Sequence, residues 1–410
     1  MKRTVSMALV TLALVACQGD KKTSKPATDD VAKAAPATKT ALPTKTAAPA
    51  RGPAAASPTL PAKTAAPTGG STIPGSDRAF MLDLDGDGFV ELLGADGNAL
   101  WALSLESKKI LWRVEGPGVA HRLAVGDYGR GRALYVGWGV GRGFLGADMV
   151  LQRLDPATGK GETLWQYAGN PANPREKRAE PAHLSVVDVD GDGAKDLAFA
   201  HYVSKYMVGA RHLKADGGVI EGAPLRMASS RAYGDVTGDG QTEEIIGRVY
   251  GDAKGIPGDL RVAARGKVTM VPTDNGVRSV LAGMTEDGKG KALYFSDGWV
   301  SNYGKLAKAQ LKQAIWQGGK PVVKTIGTSA DEFTFFDLES VDLDGDGVPE
   351  IIARGNKRVS AFRFDGQSWT RRTLADVPPV LNTALGKTKS GWKVAIPVRP
   401  ATRIVDVAAK

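Results

Sequence analysis

The chain has 410 residues, 42% of them hydrophobic, a single cysteine and a formal net charge of +10. Such a length buries a sizeable core, and one cysteine excludes a disulfide framework as its support. Lys2 and Arg3 carry +2 and residues 17–75 carry +5 (eight basic, three acidic), so subtracting both from +10 leaves only +3 for the remainder, and with no zinc finger, helix-turn-helix or ribonucleoprotein motif, nucleic-acid binding is excluded.

Residues 1–16 read as an export signal. Lys2 and Arg3 give a basic start, Val5 to Ala16 form an apolar stretch too short to span a bilayer, and LVAC is a lipobox ending at Cys17. Cleavage before Cys17 and lipidation of its thiol are expected, which anchors the mature chain in a membrane. Gln18 lacks the aspartate that retains lipoproteins in an inner membrane, so the expected address is the cell envelope, and the outer membrane where there are two. Residues 17–75 hold no aromatic residue and are dominated by Ala, Pro, Thr and Lys. They cannot bury enough apolar surface to offset ordering entropy and read as a disordered tether. As a flexible coil it spans about 40 Å, and roughly 180 Å if stretched into polyproline II.

From residue 76 to 410 an acidic nonapeptide recurs: DLDGDGFVE at Asp83, DVDGDGAKD at Asp188, DVTGDGQTE at Asp235 and DLDGDGVPE at Asp342. Oxygen side chains stand at positions 1, 3 and 5, glycines at 4 and 6, and an acid at 9. Carboxylates so spaced repel one another unless a hard cation joins them, and Ca²⁺ takes several oxygen ligands from such a turn. Three copies are complete; Thr237 replaces the acid at position 3 of the third, which predicts three to four sites. An EF-hand would need a glutamate at position 12, where Gly94, Phe199, Ile246 and Ala353 stand. The flanks LSVVDVD, KDLAFAHY, EEIIGRVY and PEIIARG are short β-branched and aliphatic runs, so each motif reads as strand, loop, strand.

On these four loops the chain resembles the FG-GAP/VCBS repeat proteins, to which the integrin head propeller is related. The resemblance covers residues 76–410 and implies an all-β fold, a β-propeller, with Ca²⁺ in the loop between the first two strands of a blade. The implied ligands are Asp83, Asp85, Asp87 and Glu91; Asp188, Asp190, Asp192 and Asp196; Asp235, Thr237, Asp239 and Glu243; and Asp342, Asp344, Asp346 and Glu350. The position-7 carbonyls of Phe89, Ala194, Gln241 and Val348 complete the shells.

Three degenerate copies follow the same hydrophobic pattern: HRLAVGDYGRGRALYVGWG around Asp127, SVLAGMTEDGKGKALYFSDGW around Asp287, and TALGKTKSGWKVAIPV from Thr383. Arg130, Arg132, Lys289 and Lys291 stand near where carboxylates would be, so these turns are expected to close without metal. Seven copies predict seven blades, with six or eight as alternatives. The last leaves room for about three strands, so ring closure calls for a strand from just before Asp83 or from the C-terminal RIVDVA at Arg403. ALWALSLESKKILWRV and LQRLDPATGKGETLWQYAG resemble quinoprotein-type propeller repeats, which would place Trp112 and Trp165 between blades.

No catalytic constellation emerges. His121, His183, His201 and His212 are scattered, no G-x-S-x-G occurs, and the G-x-G-x-x-G at Gly141, Gly143 and Gly146 is followed by a strand pattern instead of the helix a phosphate site needs. The turns facing away from the metal loops repeat aromatic and basic residues: Trp138 and Arg142, Tyr202 and Lys205, Tyr250, and Trp299. Such a face suits sugars, acidic glycans or peptides. The sequence thus reads as a monomeric, lipid-anchored, Ca²⁺-stabilised propeller acting as a binding or adhesion module toward a glycan or envelope protein. An outer-membrane assembly scaffold and a propeller enzyme, of polysaccharide lyase or quinoprotein type, are the alternatives.

Overall fold

A computed structural model describes residues 73–141, 148–168, 181–202, 207–226, 228–250, 258–264, 266–298, 309–332, 334–378 and 382–408. Among them there is no helix; strands form seven antiparallel sheets arranged as the blades of a β-propeller. Blade one comprises β1 (Arg78–Leu82), β2 (Glu91–Asp96), β3 (Ala99–Ser104) and β4 (Lys109–Glu115). Blade two is β5 (Val119–Gly126), β6 (Ala133–Val140), β7 (Asp148–Leu154) and β8 (Gly161–Ala168). Blade three is β9 (Pro181–Val187), β10 (Asp196–Tyr202), β11 (Met207–Leu213) and β12 (Val219–Arg226). Blade four is β13 (Ala228–Gly234), β14 (Glu243–Arg248), β15 (Leu260–Ala264) and β16 (Lys267–Val271). Blade five is β17 (Val277–Met284), β18 (Lys291–Asp297), β19 (Ala309–Gln317) and β20 (Lys320–Ser329). Blade six is β21 (Asp337–Val341), β22 (Glu350–Arg354), β23 (Arg358–Phe364) and β24 (Trp369–Asp376). Blade seven holds β25 (Ala384–Thr388), β26 (Gly391–Ile396) and β27 (Arg403–Asp406).

Burial explains the two strand patterns. Second strands such as ALYVGWGV (β6) and DLAFAHY (β10) are continuous apolar runs, buried along nearly their whole length because a neighbouring blade covers each face. Fourth strands lie at the rim; KVTMV (β16) leaves Val268 and Met270 about half exposed. The core is accordingly divided into seven clusters, one at each blade boundary. That partition requires seven blades in a closed ring.

Trp112 and Trp165 take up the expected inter-blade positions. Trp112 of β4 donates its indole N–H to the Pro156 carbonyl of blade two at 2.7 Å. Trp165 of β8 packs on Phe199 and His201 of blade three, both with centroids 5.0 Å away.

Closure draws on the expected C-terminal strand. RIVD forms β27, the third strand of blade seven, while Ile73–Ser76 latches beside it: Pro74 bridges Ala401, and Thr402 donates to the Pro74 carbonyl from N–H at 3.2 Å and from its hydroxyl at 2.8 Å. A Cβ on Gly75 would lie 2.5 Å from the Pro400 carbonyl oxygen, so only glycine permits this approach. Contacts of Pro74 and Gly75 with the last blade thus precede the expected boundary at 76. On the inner side, Asn382 accepts the Ala79 N–H at 3.1 Å and donates to the Ala79 carbonyl at 2.6 Å, joining blade seven to β1. The signal peptide, Cys17 and the tether up to residue 72 lie outside the described residues, as do Arg142, Lys205 and Trp299.

Candidate metal centres

Each acidic nonapeptide occupies the turn between the first and second strands of blades one, three, four and six, all on one face of the ring. The turns share one hydrogen-bond plan. The position-1 aspartate accepts the position-4 glycine N–H with one oxygen at 2.6–2.7 Å and the position-6 glycine N–H with the other at 2.9–3.2 Å. Position 5 accepts the position-7 N–H at 2.8–2.9 Å. The two glycines have φ between 76° and 88° in all four loops, a left-handed conformation that side chains disfavour. No neighbour crowds Gly191, Gly193, Gly238 or Gly240, so conformation and not space demands glycine there.

This path gathers the acids. Asp83, Asp85 and Glu91 bring ligand oxygens within 4.8 Å of one another, as do Asp188, Asp190 and Asp196; Asp235, Asp239 and Glu243; and Asp342, Asp344 and Glu350. The position-9 acid opens the second strand and lies beneath its loop, with Asp196 and Glu243 each 1% exposed and Glu350 4%. It accepts the position-2 N–H at 2.8–3.3 Å. Burial, reinforced by neighbouring acids, pushes Glu91, Asp196, Glu243 and Glu350 above the usual carboxylate range. A buried carboxylate below other carboxylates calls for a cation. In the third loop the Thr237 hydroxyl instead donates to Glu243 at 3.0 Å.

The degenerate turns close without such a cluster, and their cations behave differently from expectation. Asp127 accepts the Gly129 and Arg130 N–H groups at 2.7 and 2.9 Å, which closes the shorter turn by itself. Arg130 reaches the Ala215 carbonyl of blade three, and Arg132 reaches the Asp83 and Leu84 carbonyls of blade one. These side chains tie adjacent blades together. In blade five, Asp287 accepts the Lys289 N–H at 3.1 Å, and the Lys291 ammonium turns to Met284.

The opposite face also departs from the sequence reading. Trp138 is completely buried at the boundary of blades one and two and offers no platform to a ligand, because the second strand is covered on both faces. Tyr202 is 7% exposed and belongs to the boundary of blades three and four. Tyr250 is half-buried, its carbonyl accepting from Arg248 at 3.3 Å. Periodicity found these aromatics, but it could not separate a core tryptophan from a surface one.

Two groupings were invisible in the sequence. His183 and His212, distant in the chain, both approach Tyr233 with centroids 5.7 Å away, and the tyrosine hydroxyl donates to Glu244 at 3.2 Å. Desolvation first, then Arg231 and Arg122, lowers His183 to about 3, so it is neutral. Asp337 at the start of β21 pairs with Arg354; partial desolvation pushes it up, but Arg354, Arg122 and Arg278 outweigh this and hold it low, with the side chain still 58% exposed.

No family model matches this chain, and no curated protein matches it. Solved structures do. It is similar to a chain of Kuenenia stuttgartiensis hydrazine synthase at 10% identity and TM-score 0.52, covering 82% of this chain and 97% of that one. It is also similar to the Dos1 propeller (12% identity, TM-score 0.44, 78% and 75% covered) and to a chain of the mitotic checkpoint complex (13%, 0.41, 70% and 74%). At such identities the likeness concerns the fold alone. The molecule is a seven-bladed β-propeller carrying four acidic inter-strand loops.

Proposed function

We propose that this protein is a cell-envelope lipoprotein whose propeller, stabilised by Ca²⁺, serves as a binding or adhesion module. The observation that carries the calcium reading is the buried position-9 acid under three of the four clusters, with carboxylate oxygens gathered within 4.8 Å in each. Ca²⁺ takes six to eight oxygens at roughly 2.3–2.6 Å in flexible geometry. Carboxylates at positions 1, 3, 5 and 9 with the position-7 carbonyl supply that chemistry, with no nitrogen or sulfur donor to favour a softer ion. The ion's contribution is charge: it draws the acids together while the chain's glycines hold the turn.

The binding role is supported by the fold class, which presents loops on two faces of a rigid ring. The lipid anchor is supported by LVAC at Cys17. Calcium-dependent melting with metal counting tests the first part; an unchanged melting temperature with no bound metal would remove it. Cys17→Ala with membrane fractionation tests the anchor, and a soluble wild-type protein would count against it. Glycan and envelope-protein arrays then address the ligand.

A further inference from the structure

The four acidic loops are not equivalent, and the difference lies in the third strand of each blade. Register places one residue of that strand directly across from the position-9 acid. In blade three, one step beyond the Leu197–Leu213 pair, it is Lys214 opposite Asp196. In blade six, one step beyond Ile351–Phe362, it is Arg363 opposite Glu350. In blades one and four, steps beyond Leu92–Leu103 and Glu244–Ala263, it is Ser104 and Ala264.

The two basic residues reach into their loops. Lys214 places its ammonium 2.6 Å from Asp190 and 2.8 Å from Asp192. Arg363 pairs with Asp344 and Asp346 and lies 3.4 Å from Glu350. Among the described residues, the cations that reach loop one come from neighbouring blades. Arg132 lies 3.5 Å from Asp83, and Lys389, itself shared with Glu106, lies 3.5 Å from Asp87.

We propose that Lys214 and Arg363 are built-in competitors of the divalent ion: loops two and four close on a tethered cation and take up metal only by displacing it, while loops one and three depend on the ion. This rests on the calcium reading above. The chain then has two classes of site, and two of its metal-loop blades keep their shape at low calcium.

The test is calcium titration of the full chain by calorimetry with metal counting, using Lys214→Gln, Arg363→Gln and the double variant, with Lys214→Arg and Arg363→Lys as charge-retaining controls. A unit charge removed about 5 Å from a divalent ion near the surface changes affinity roughly fivefold to twentyfold at ordinary salt. The double variant should therefore tighten two weak sites by that factor, and the controls should not. In EDTA the Gln variants should melt below wild type, with the difference recovered by calcium. Equal affinities and equal melting in EDTA would overturn the competition while leaving calcium binding intact. No uptake by wild type and double variant alike would sink the calcium reading and the competition with it.

Discussion

Asn382→Ala removes the side chain that joins β1 to blade seven at the closure of the ring. Its amide satisfies both backbone groups of Ala79, a residue with no exposed surface, at 3.1 Å and 2.6 Å. Alanine leaves that N–H and C=O facing the channel side without their partner. Each orphaned group costs about 1–3 kcal/mol, and because Asn382 is only half-buried, water recovers part of this. The expected loss is about 2–4 kcal/mol. A domain of this length unfolds with an entropy on the order of 700 cal/mol/K, so the melting temperature should fall by about 3–6 °C. Calorimetry reads the shift, and hydrogen exchange reads its location: amides of β1 and β25 should exchange faster while those of blade four stay unchanged. A shift below about 1 °C, or acceleration spread evenly around the ring, would refute closure through this residue.

Glu91→Gln leaves the Leu84 contact geometrically possible but removes the charge at position 9 of the first loop. Calcium stoichiometry should fall by one, and retention of the wild-type count would be contrary to the proposed ligand set. Acid should act through His201, which is 1% exposed and held at about 4 by desolvation, only partly offset by its bond to the Tyr202 carbonyl. Since the unfolded chain protonates near pH 6.5 and the fold does not, this stabilisation is complete above pH 6.5 and is lost as pH falls toward 4. It amounts to roughly 3 kcal/mol. Denaturant titrations of His201→Phe should show a flatter acid limb over that window; an identical limb would exclude the histidine as its source. Gly116→Ala should destabilise strongly, because the new Cβ would sit 2.3 Å from the Trp138 ring. For the same reason Trp138→Ala should cost about 3–5 kcal/mol by opening a cavity, and a variant that melts like wild type would contradict the buried placement.

Much of the architecture was legible along the chain because it is written in local patterns. DxDGDG turns demand left-handed glycines wherever they occur, and apolar runs such as DLAFAHY mark strands covered on both faces. Their repetition at blade-length intervals announces a ring, and its seven degenerate and complete copies announce seven sheets. Trp112 and Trp165 were legible for the same reason, since each ends a fourth-strand pattern.

What the sequence left open depends on register and on contacts across blade boundaries. Trp138 looks like a surface aromatic until β6 is seen to be covered on both sides. Arg130 and Arg132 stand beside their own turns in sequence yet bind the carbonyls of the blades on either side. Lys214 and Arg363 look like ordinary strand-end bases until cross-strand pairing sets them against Asp196 and Glu350. The acids' spacing is a property of a single turn, so sequence alone determines it. Which charge answers them is a property of neighbouring strands, brought within a few ångströms only when the sheets fold and the ring closes.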